Sequence, residues 1–90
     1  MEKQDMSTLK IYGKDNCYWC KQAKELAERY EFDYEYIDVG LTEGLKELKE
    51  NVPDARLVPQ IFWNGEHLGG YSEFADTVES TIGGFGEQLF

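Results

Sequence analysis

Cys17 and Cys20 stand three positions apart, and the 90-residue chain has no other cysteine. Two thiols at that spacing can close a disulfide, help hold a metal, or exchange electrons with another disulfide. A bridge across so short a loop removes little entropy from the unfolded chain, which makes the pair a poor staple. A structural zinc site wants four ligands, and His67 is the one histidine available to join two thiols. Two unrelated buried cysteines are the remaining bland alternative, and redox work is the reading favoured over all three. Exchange requires a thiolate, whereas a free cysteine ionises near pH about 8.5. A helix N-terminus favours the anion through its unpaired N–H groups and its dipole. Cys17 falls where a helix is expected to begin, with Lys14 adding a positive charge three residues earlier. Cys20 lies one turn inside and is expected to be the more buried thiol. Cys17 is therefore read as the nucleophile and Cys20 as the thiol that resolves a mixed disulfide.

The elements that must hold this pair follow from periodicity. Thr8–Tyr12 alternates and ends at Gly13, a strand followed by a turn. Ala23, Leu26, Ala27 and Tyr30 recur at helical spacing after the cysteines. Tyr34–Val39 reads as a second strand. Leu45, Leu48 and Val52 mark a second helix after Gly44, closed by Pro53. Gln60–Trp63 and Glu66–Leu68 flank Asn64-Gly65, a strong hairpin signal because both turn positions need φ > 0. A third helix follows Gly69-Gly70, with Phe74, Ala75, Val78 and Ile82 on its apolar side and Ser72 as its expected N-cap. The order β-α-β-α-β-β-α predicts an α/β fold: a four-stranded mixed sheet with three helices distributed over both faces. Residues 1–90 form a single expected domain, with 1–7 and 83–90 as loose ends.

The bulk numbers bound the function. Eighteen acidic residues against nine Lys and Arg give a net charge of −9, which argues against nucleic acid as a partner. No apolar run approaches the roughly 20 residues needed to span a bilayer. The N-terminal residues show neither an apolar segment nor a small-residue cleavage site. Two thiols in such a chain point to a reducing compartment, and the expected location is the cytoplasm. No obvious apolar patch is visible, so a monomer is expected.

Two further segments bear on the site. Val58-Pro59-Gln60-Ile61-Phe62 opens a strand with a proline, which cannot donate a ladder hydrogen bond. A cis bond there would leave the Val58 backbone free to pair with an extended thiol substrate. Gly69-Gly70-Tyr71-Ser72-Glu73 reads as a strand-to-helix turn. Its helix N-terminus and the Ser72 hydroxyl offer a second anion site.

Taken together, Lys-x-x-Cys-x-x-Cys, Val-Pro-Gln-Ile-Phe and Gly-Gly-Tyr-Ser-Glu-Phe resemble the glutaredoxins of the thioredoxin-like superfamily, over roughly residues 8–82. The resemblance implies a thioredoxin-like fold, a cis Pro59 and a groove for glutathione. It implies that Cys17 forms the mixed disulfide with glutathione and that Cys20 resolves it. Lys14, Arg56 and, less directly, Lys46 would read the glycine carboxylate of glutathione. Val58 would pair its backbone with the glutathione cysteine, beside Pro59. Ser72 would hold the γ-glutamyl carboxylate and Glu73 its amino group, while Trp19 would wall the groove. Glutathione is a zwitterion with two carboxylates and one amine, and this charge pattern matches it.

The activity implied is glutathione-dependent reduction of protein disulfides or glutathione mixed disulfides, with ribonucleotide reductase a family-typical acceptor. One departure matters: Tyr18 stands where most dithiol members have proline. In some relatives a non-proline centre accompanies an iron–sulfur cluster, for which Cys17 would be this chain's ligand, with the cluster shared by two subunits. A redoxin fed by thioredoxin reductase is the third reading. No resident metal is otherwise expected.

Overall fold

The computed structural model describes residues 9–82. The expected loose ends, and the Ile82 side chain, lie outside the described residues. The elements are β1 (Leu9–Gly13), α1 (Tyr18–Arg29), β2 (Tyr34–Asp38), α2 (Thr42–Asn51), β3 (Gln60–Trp63), β4 (Glu66–Gly69) and α3 (Tyr71–Ile82). The four strands form one sheet in the order β2-β1-β3-β4. β1 runs parallel to β2, as the intervening helix requires, and antiparallel to β3. β3 and β4 make a hairpin whose turn residues Asn64 and Gly65 have φ of 54° and 85°. The pairing slips between Ile61↔Gly69 and Phe62↔His67, so Leu68 is an extra, bulged residue.

Strand alternation splits the apolar residues between two faces. Leu9, Ile11 and Ile61 point to one side and pack with Ala23, Leu26 and Ala27 of α1 and Phe74 and Val78 of α3. Tyr12 points to the other side and packs with Leu48 of α2 and with Ala55. The sheet thus carries α1 and α3 on one face and α2 on the other, as the sequence pattern predicts. No helix among the described residues is long and apolar enough to cross a membrane.

Two helix boundaries differ from the sequence reading, each for a local reason. α2 starts at Thr42 and includes Gly44, which was expected to precede it. A Cβ on Gly44 would overlap the Asp38 carbonyl oxygen, so glycine lets the first turn dock on the end of β2. α3 starts at Tyr71, so Ser72 lies inside the first turn and is not its cap. Gly70 occupies the cap position: its carbonyl accepts from Phe74 N–H at 3.0 Å, and its own N–H donates to Glu73 Oε1 at 2.9 Å. This is the reciprocal half of a capping box, supplied by the acid at the third helical position.

Candidate functional site

The topology brings three segments to one end of the sheet. β1 ends at Gly13 and hands the chain to Lys14-Asp15-Asn16-Cys17. Tyr12 pairs with Gln60, so the start of β3, with Pro59, sits beside that end. Ile61 pairs with Gly69, which places the β4–α3 turn next in line.

Cys17 is the N-cap of α1, an unusual use of a thiol. Its sulfur accepts the N–H of Cys20 at 3.2 Å, where a serine or aspartate oxygen commonly sits. Asn16 turns the chain into the cap with φ 60°, a left-handed conformation that asparagine tolerates. Cys17 and Cys20 are joined as a disulfide, with Cα atoms 5.2 Å apart. Their environments differ: Cys17 is partly exposed, whereas Cys20 is 1% exposed. Gly13 makes room for the buried sulfur, since a Cβ there would fall 2.9 Å from Cys20 Sγ and would overlap the Tyr36 hydroxyl. That hydroxyl donates to the Lys14 carbonyl at 3.2 Å. Burial, then the negative charges of Asp38 and Asp15, push its pKa up, so Tyr36 stays a neutral donor.

The Val58–Pro59 bond is cis, and the Val58 carbonyl oxygen lies 3.9 Å from Cys17 Sγ. Trp19, Val58, Pro59, Ser72 and Glu73 line one open cleft of about 390 Å³. Lys14 and Arg56 line a neighbouring cleft of about 320 Å³, which shares Leu57 and Val58 with the first. Seven residues singled out in the sequence are thus brought together around the Cys17–Cys20 disulfide.

Lys46 is not among them: it is exposed and lines neither cleft. Lys49 lines the second cleft instead, and its ammonium donates to the Ala55 carbonyl at 2.7 Å, tying down the loop that carries Arg56. Lys49 is four residues after Leu45 and shares its face of α2, but only packing shows that this face borders the cleft. Leu57, Gln60 and Tyr71 were also missed. Gln60 Nε2 donates to the Leu57 carbonyl at 2.9 Å, and Gln60 Oε1 is 2.7 Å from His67 Nε2. Trp19 is braced by Tyr71, with ring centroids 5.1 Å apart. Leu57, Gln60 and Tyr71 each neighbour a singled-out residue in the chain, but their types alone carried no chemical signal.

Among the described residues no group of three or more His, Cys, Asp or Glu side chains could hold a metal ion. The arrangement is that of a dithiol exchange centre. The glutaredoxin family model matches residues 9–68. This chain belongs to the glutaredoxin family.

Glutaredoxin 1 of Escherichia coli K12 is 38% identical over 80 residues, covering 80% of this chain and 93% of that protein. The solved structure of reduced Escherichia coli glutaredoxin is similar with a TM-score of 0.67 at 35% identity, over 83% of this chain and 96% of that one. A buckwheat glutaredoxin–glutathione complex shares the fold, with a TM-score of 0.69 at 20% identity, over 83% of this chain and 71% of that one. Family membership and the Cys17–Cys20 pair make this protein a thiol–disulfide oxidoreductase.

Proposed function

We propose that the protein is a glutathione-dependent oxidoreductase that reduces protein disulfides and glutathione mixed disulfides. The observation that carries this reading is the asymmetry of the pair. Cys17 is accessible, sits at a helix N-terminus with the Cys20 N–H on its sulfur, and faces the Val58 backbone, while Cys20 is buried beneath it. An N–H aimed at a sulfur stabilises thiolate over thiol.

The Cys17 thiolate attacks a substrate sulfur. The substrate S–S bond breaks, one thiolate leaves and takes a proton, and Cys17 holds the other half as a mixed disulfide. With a protein disulfide, Cys20 then attacks Cys17 Sγ, releases the second thiol and closes the Cys17–Cys20 bond. Two molecules of glutathione return the dithiol and leave as glutathione disulfide.

The bound glutathione cysteine pairs with the Val58 backbone beside Pro59, under Trp19. Its γ-glutamyl carboxylate meets the Ser72 hydroxyl and the first-turn N–H groups of α3. Its amine meets the Glu73 oxygen not engaged by Gly70. Lys14 and Arg56 take the glycine carboxylate at the opposite end. The buckwheat protein of this fold is a glutathione complex, which supports glutathione as the ligand.

Reduction of the oxidised protein tests the proposal. Glutathione should reduce it, and Arg56→Glu or Ser72→Ala should raise KM for a glutathione mixed disulfide by about tenfold, equivalent to about 1.4 kcal/mol each. Efficient reduction by thioredoxin reductase, with none by glutathione, would rule the glutathione groove out.

A further inference from the structure

Helix α1 presents a stripe that thiol exchange leaves unused. Cys17, Lys21 and Lys24 stand at i, i+4 and i+7, one above another on a single face. With Lys14, Asp15 and Tyr36 they line an open cleft of about 440 Å³, separate from the one formed by Val58, Pro59 and Ser72. In a chain of 18 acids and nine Lys and Arg, this lining sets three lysines against one carboxylate. Among the described residues none of the three ammonium groups has a carboxylate partner. Lys24 is held in place, with Nζ 4.2 Å from the Tyr36 ring centroid. The stripe ends at Glu28, whose carboxylate takes the Tyr34 hydroxyl at 2.6 Å.

We propose that this lysine-lined cleft docks the polypeptide of a protein disulfide and selects acidic residues two and three positions from its reactive cysteine. The register follows from geometry. At about 1.5 Å per helical residue, Lys21 and Lys24 stand about 6 and 10 Å along the axis from Cys17. An extended peptide covers those distances in two and three residues at about 3.3 Å each. The inference rests on the proposed function for one point: glutathione occupies the Val58–Ser72 side and reaches Lys14 and Arg56, which leaves Lys21 and Lys24 to the polypeptide. Like-charged substrates are turned away by the rest of this acidic surface, so the cleft supplies a local attractive field where the exchange occurs. Lys21 and Lys24 are specificity residues and take no part in bond making.

The test uses prereduced protein, without glutathione, and disulfide-linked dimers of a short peptide. The peptide carries Glu, Gln or Lys two and three residues to each side of its cysteine. The Cys17–Cys20 dithiol reduces the dimer to two peptide thiols and becomes a disulfide. At low salt the Glu peptide should react about tenfold faster than the Lys peptide. The difference should shrink to less than about twofold near 1 M salt, where screening acts within about 3 Å. Lys21→Gln/Lys24→Gln should level the rates, and Lys21→Glu/Lys24→Glu should invert their order. Equal rates in wild type, or a preference unchanged in both variants, overturns the proposal. Turnover of the glutathione mixed disulfide of 2-mercaptoethanol should be unaffected by either pair of substitutions. If wild type fails on that small substrate while the peptide preference persists, the glutathione groove is wrong and the docking cleft stands.

Discussion

One residue does two jobs at the site. Cys17 caps α1 and, in the proposed mechanism, attacks the substrate, so its sulfur would be both the hydrogen-bond acceptor for Cys20 N–H and the reacting atom. Cys20, one turn on, has neither exposure nor such a cap. Alkylation of the reduced protein at neutral pH should therefore modify Cys17 at least about tenfold faster than Cys20, read by peptide mass spectrometry. Similar rates at both thiols would contradict the assignment. This asymmetry was legible in the sequence, because a CxxC at a helix start places one sulfur outside the helix and one inside. The partners of the site were less legible. Lys46 and Lys49 are the same residue type three positions apart, and only the docking of α2 reveals that Lys49 faces the cleft. Leu57, 76% exposed and lining both of the clefts that hold Val58, carries nothing in its identity to announce a site residue.

At the scale of elements, termini were harder to read than interiors. α1 ends in a Schellman arrangement, with Phe32 N–H bonded to the Ala27 carbonyl at 2.9 Å and Glu31 N–H to the Glu28 carbonyl at 3.1 Å. The left-handed position, φ 62°, is occupied by Glu31, where glycine would be the ordinary signal. Glu31→Gly should stabilise the protein by about 0.5–1 kcal/mol in urea unfolding, by relieving that conformation. Gly44→Ala should cost about 1–3 kcal/mol, because the new methyl meets the Asp38 carbonyl.

α2 is also fastened by polar contacts: Glu47 Oε2 accepts from the Tyr12 hydroxyl at 2.7 Å and from Lys10 Nζ at 3.3 Å. The Tyr12 hydrogen bond, aided by Lys10, holds the Glu47 carboxyl below its ordinary pKa, although partial burial opposes this. A depressed folded-state pKa stabilises above the unfolded value and is lost as pH falls through the folded one. Stability should therefore decline as pH drops below about 4.3, and Glu47→Gln should flatten that part of the curve. An unchanged acid limb in the variant would remove Glu47 from this role. The sequence placed Tyr12 in a strand but gave no hint of its hydroxyl's partner, 35 residues away.

Across the whole molecule, the order of elements decides where the chemistry sits. A parallel β1–β2 pair followed by an antiparallel β3–β4 hairpin puts the end of β1, the start of β3 and the β4–α3 turn at one end of the sheet. The elements were readable from alternation and the Asn64-Gly65 turn, since each period is local, whereas their meeting at one groove was implied only by the resemblance that the three short motifs carry. What was not readable is how side chains from separate segments divide the surface around Cys17 into clefts of different charge, because that depends on packing between elements. In the proposed function the two thiols do unequal work within a glutathione cycle, and a coupled glutathione–disulfide assay tests this most directly. Cys17→Ser should be inactive on every substrate. Cys20→Ser should retain activity on a small glutathione mixed disulfide and lose it on a protein disulfide. Equal activity of the two variants on the small mixed disulfide, or activity of Cys17→Ser on either substrate, would contradict the central claim.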